Sequence, residues 1–99
     1  MDLSELLSLS IKEGASDLHL SAGLSPILRI DGDLVQTDLP IMNSDLVDKL
    51  IYEVLNDRQI AIVEDGAEID FSFEIPHVAW FRANVFNQNR GRAGIRRGV

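Results

Sequence analysis

Glu68-Ile69-Asp70-Phe71-Ser72-Phe73-Glu74-Ile75 alternates without interruption. Ile69, Phe71, Phe73 and Ile75 fall on one face and Glu68, Asp70, Ser72 and Glu74 on the other, the period-two pattern of a strand with one face on a core. Phe71 and Phe73 are therefore candidate core rings. Pro76-His77 turns the chain into a second strand, Val78 to Asn87. One side of that strand carries Ala79, Phe81, Ala83 and Val85; the other carries Val78, Trp80, Arg82, Asn84 and Phe86. Neither side is wholly polar, which places the strand centrally in a sheet or beneath something outside the chain. Asn89-Arg90-Gly91 reads as a turn, followed by a short strand from Arg92 to Arg97.

Toward the amino terminus the same grammar continues. Asp2-Leu3-Ser4-Glu5 fits a capping box. Leu3, Leu6, Leu7 and Ile11 then follow helical spacing, and Gly14 is placed to end the helix. Asp17 to Ser21 alternates as a short strand with Leu18 and Leu20 on one face. A second strand starts at Pro26 and runs to Ile30, and Asp31-Gly32 is a two-residue hairpin turn leading into Asp33 to Thr37. Asn43 and Ser44 offer alternative caps for a helix striped by Leu46, Val47, Leu50, Ile51, Val54 and Leu55. Asn56-Asp57 interrupts it, and Ile60, Ile62 and Val63 mark a short further helix stopped by Gly66. The order predicts an α+β domain: five to six antiparallel strands with two to three helices packed on them. The chain stops just after a strand, with no closing helix or polar tail, the ending expected of a fragment.

Composition narrows the function classes. At 99 residues, 45% apolar and 25% charged, the chain is an ordinary globular domain. It has no cysteine, which excludes a disulfide scaffold or a thiolate metal site. The acidic start, Met1-Asp2-Leu3-Ser4-Glu5, is unlike a signal peptide. The net charge of −7 hides a split. Residues 1–80 hold all 16 acids against four basic residues, a balance of −12. Residues 81–99 hold five arginines and no acid, +5. Such asymmetry points to partners rather than to fold.

Catalytic motifs are missing. No Gly-Lys precedes a Ser or Thr, since the lysines follow Ile11 and Asp48, so there is no phosphate-binding P-loop. His19 and His77 lack a second histidine at ligand spacing. Glu68, Asp70 and Glu74 form a strand row of the kind that is usually a solvated face, with no nucleophile beside them. That leaves the arginines. Arg82 shares its strand side with Trp80 and Asn84, and Arg97 closes the next strand, so two adjacent strands can present two guanidinia to a polyphosphate. Arg90, Arg92, Arg96 and Arg97 with Phe86 also suit single-stranded nucleic acid. Residue chemistry alone leaves both open, and a free-standing interaction module beside them.

Four segments decide for one. Gly14-Ala15-Ser16-Asp17-Leu18-His19-Leu20-Ser21-Ala22-Gly23, then Pro26, Arg29 and Asp31-Gly32, then Asp70-Phe71-Ser72-Phe73-Glu74, then Phe81 through Gly91 stand in the order and spacing of a known family. Together they resemble the type IV pilus retraction ATPases, the PilT group of secretion-type motors. The resemblance implies that residues 1–99 are an amino-terminal PAS-like domain, with a RecA-like domain further along carrying the P-loop. It implies a homo-hexameric ring, each amino-terminal domain packed on its neighbour, working in the cytoplasm at the inner-membrane pilus machinery without nucleic acid. ATP with Mg would lie between the two domains of a subunit, held mostly by the other one. By position, Arg82 and Arg97 match the family arginines that approach its phosphates; no catalytic or metal-binding residue is implied within this stretch. Arg92 and Arg96 stand where the family usually has small or apolar residues, which leaves open whether Arg96 or Arg97 takes the second position.

Overall fold

The computed structural model describes residues 1–88 and 90–98, with side chains outside 86–92. The first helix, α1 (Leu3–Lys12), is capped by Asp2, whose Oδ1 accepts from the Glu5 amide at 2.8 Å. The Leu3 amide donates to Glu53 Oε1 at 3.1 Å, tying the helix start to a residue fifty positions on. Strands β1 (Asp17–Ser21), β2 (Ile27–Ile30) and β3 (Asp33–Gln36) follow as an antiparallel meander. Asp31 (φ 51°) and Gly32 (φ 84°) both adopt positive φ at the β2–β3 turn, as a primed two-residue hairpin requires.

Of the two possible caps for α2 (Ser44–Tyr52), the structure uses Asn43, which accepts from the Leu46 amide at 2.8 Å. This helix ends before the predicted Leu55. Asn56 does not merely break the helix: it starts the next one, α3 (Asp57–Glu64), through a reciprocal capping box with Gln59. The chain then forms β4 (Ile69–Ile75), β5 (Ala79–Gln88) and β6 (Arg90–Arg97). The last strand begins two residues earlier than the sequence suggests, because Arg90 and Gly91 pair with Gln88 and Asn87. Asn89, the first residue of the expected turn, lies outside the described residues.

The six strands form one antiparallel sheet in the order β3-β2-β1-β6-β5-β4. The β1–β6 pairing joins the two halves of the chain across its centre, with Leu18 opposite Ile95 and Leu20 opposite Ala93. All three helices pack on one face of the sheet, where Leu18, Leu20, Phe81, Ala83, Val85, Ala93 and Ile95 meet Leu3, Leu6, Leu7, Val47, Leu50, Ile51 and Val63 in one core. Phe81, 2% exposed, is the largest of the fully enclosed side chains and stacks on Phe73 at 5.6 Å. Phe71 and Phe73 contribute at the margin, partly buried on the edge strand β4. Among the described residues, no helix packs on the opposite face of the sheet.

Candidate functional site on the open face of the sheet

Paired residues of neighbouring strands share a face, so register decides which side chains the open face presents. On β5 and β6, Arg82 pairs with Arg96 and Asn84 with Gly94. On β1, Asp17 lies opposite Arg96 and His19 opposite Gly94. On β4, Asp70 lies opposite Asn84, one diagonal step from Arg82. Asp17, Asp70, Arg82, Asn84, Gly94 and Arg96 line an open groove of about 300 Å³. A Cβ at Gly94 would make only ordinary contact with the His19 ring, at 3.7 Å from Nδ1, so a small side chain fits there.

The register corrects one expectation. Arg82 and Arg97 do not project from one surface. Arg97 pairs with Phe81, whose ring is in the core, so it belongs to the helix side, exposed at the end of the sheet. The residue that stands beside Arg82 is Arg96.

The charges on this face are arranged in pairs. Arg82 donates from Nε and Nη2 to the two carboxylate oxygens of Asp70, at 3.1 and 3.2 Å, a bidentate fork between side chains that are each about half exposed. These hydrogen bonds, aided by the charges of Arg82 and Arg96, hold the Asp70 carboxyl below its ordinary range and push the Arg82 guanidinium further up. The stabilisation that comes with a depressed carboxylate is present above its unfolded pKa and lost as pH falls through the folded value, so the pair is intact at neutral pH. Asp17 is held by Arg29 Nε at 3.4 Å, and Arg29 Nη1 also donates to the Gly32 carbonyl. Asn84 donates to Glu68 at 2.6 Å. Among the described residues, no carboxylate oxygen lies within 4.0 Å of Arg96. Trp80, 53% exposed, stands two residues along β5 from Arg82 on the same face.

Sequence reasoning placed Asp70 in a solvated acidic row and missed its role as the partner of Arg82. The signal was available: in neighbouring antiparallel strands, a carboxylate one diagonal step from an arginine is within its reach. His19 lies on the face opposite Leu18 and Leu20, and its Nε2 is buried with no hydrogen-bond partner among the described residues. His77 occupies the β4–β5 turn at φ 64°. Among the described residues, no three His, Asp or Glu side chains gather in a way that could hold a metal ion.

The chain is 52% identical, over all 99 residues, to the type IV pilus retraction ATPase PilT of Pseudomonas aeruginosa, of which it covers 29%. It is 41% identical over 75 residues to a twitching motility protein of Neisseria gonorrhoeae, covering 20% of that protein. Its fold superposes over its whole length, with a TM-score of 0.86 and 36% identity, on 29% of the crystal structure of the pilus retraction motor PilT with bound ADP. The chain belongs to the PilT family. It corresponds to the amino-terminal domain of PilT and spans less than a third of the length of these relatives. The ATPase DotB of Legionella pneumophila shares the fold at a TM-score of 0.81 with 16% identity, over 29% of its chain. No family model matches the chain.

Proposed function

We propose that these 99 residues act as the PAS-like amino-terminal domain of a hexameric, ATP-driven motor that retracts type IV pili from the cytoplasmic side of the inner membrane. In this reading the domain does not cleave ATP. It supplies guanidinium contacts to the phosphates of a nucleotide held mainly, with Mg, by a RecA-like domain carrying the P-loop. Arg82, with Arg96 beside it as a second cation, makes these contacts from the open face; Arg97, matched to the family by position, lies on the helix side of the sheet and does not share that surface. The reading rests above all on the open face of the sheet, where Arg82 and Arg96 stand side by side over a groove that no helix among the described residues covers. The ADP bound in the PilT structure similar to this chain supports a nucleotide as the ligand.

An arginine that meets phosphate only when the two domains close makes closure depend on the nucleotide, because the contact stabilises one state and not the other. Packing between subunits has a suitable surface elsewhere. Exposed Met1 and Leu46 help line an apolar cleft with Leu6, Pro26, Leu39 and Met42, which we assign to a neighbouring subunit of the same ring.

ATP turnover tests the reading. The 99-residue chain is expected to show none above buffer, and the product of the gene read past residue 99 is expected to carry G-x-x-x-x-G-K-[ST] and to hydrolyse ATP. Absence of that motif downstream would instead make the chain a free-standing interaction module.

A further inference from the structure

The open face contains a competition. Arg82, the arginine placed to meet phosphate, is already engaged through two of its donors by a carboxylate of the same domain. We propose that Asp70 is a latch on the site: it occupies the fork of Arg82 that a phosphoryl group would take, and yields it to a polyphosphate received first by Arg96. This inference rests on the reading of the open face as the phosphate-contacting surface.

Three observations carry it. The Arg82–Asp70 contact is bidentate, and a phosphoryl group presents the same pair of oxygens to a guanidinium while carrying more charge than a carboxylate. Both side chains are about half exposed, so their attraction is screened by water and salt and can be exchanged at little cost. Among the described residues of this face, Arg96, opposite Arg82 in the ladder, is a cation left available, because its other cross-strand neighbour, Asp17, is committed to Arg29. An anion on Arg96 is thus one cross-strand spacing from Arg82. In the empty site, Asp70 offsets the repulsion between two arginines placed directly opposite one another. In the filled site, the phosphate takes over that task and Asp70 is released. The depressed titration of Asp70, set chiefly by its hydrogen bonds from Arg82, agrees with a carboxylate that stays charged while the latch is closed.

The test is calorimetric titration of the 99-residue chain with tripolyphosphate at low ionic strength, for the native sequence and for Asp70→Asn, Asp70→Ala, Arg82→Ala and Arg96→Ala. Backbone NMR spectra confirm that each variant is folded. Both Asp70 variants are expected to bind tripolyphosphate about two- to fivefold more tightly, the scale of removing one exposed competing charge. The Arg82 side-chain Nε–Hε resonance is expected to move toward the free-arginine position on Asp70→Asn and back toward a hydrogen-bonded position when tripolyphosphate saturates that variant. Unchanged or weaker binding by both Asp70 variants, with Arg82→Ala and Arg96→Ala still weakening it, would overturn the latch and make Asp70 an aiming group, leaving the site intact. Binding that neither arginine variant alters would overturn the site itself, and the latch with it.

Discussion

Phe81→Ala is expected to destabilise the domain by about 3–5 kcal/mol, the range for removing a large ring from a close-packed core. Phe81 is 2% exposed, lies on β5 against α3, and stacks on Phe73. The neighbours Ala83 and Val85 on the same strand face are small and fixed in the ladder, so neither fills the space. In urea the midpoint should fall with the slope unchanged. Phe71→Ala and Phe73→Ala should cost less, since both rings sit half-covered on the edge strand. The alternating pattern of β4 had marked those two rings as the core; the strand order moves the largest loss inward by one strand. A loss below about 1 kcal/mol for Phe81→Ala would contradict the packing described.

Arg82→Ala, placed in the longer ATPase that we propose contains this domain, is expected to lower ATP turnover by about 10²-fold, the scale of removing one preorganised donor from a developing charge. Stability should hardly change. The side chain is half exposed and its partner Asp70 stays in water when released, so no buried charge is stranded. The two effects separate cleanly: Phe81 acts through folding and Arg82 through the nucleotide. Turnover equal to that of the native protein would remove Arg82 from the mechanism.

Much of the fold could be read locally. Leu18 and Leu20, or Ile69 through Ile75, announce strands by alternation alone, and Asp31-Gly32 announces its turn because both positions accept positive φ. Asn56 was visible only as a breaker; its role as a cap depended on Gln59 three residues later, a pattern equally available in the sequence. What could not be read was the long-range pairing of β1 with β6, which depends on how two hairpins meet and leaves no local trace. The site inherited that difficulty. The grouping of Arg82 with Trp80 and Asn84 on one side of β5 could be read from alternation, but which arginine of β6 shares that side required the register, since a shift of one residue exchanges the faces. Asp70 was hidden for a simpler reason. A carboxylate in an alternating acidic row looks solvated until the neighbouring strand is laid beside it.

The structure of the longer protein with a non-hydrolysable ATP analogue tests the central claim most directly. The open face is expected to be closed over the nucleotide, with Arg82 within hydrogen-bond distance of a phosphate oxygen and Asp70 released from it. A closed, nucleotide-filled state in which the Arg82 face points into solvent, far from every phosphate, would contradict it.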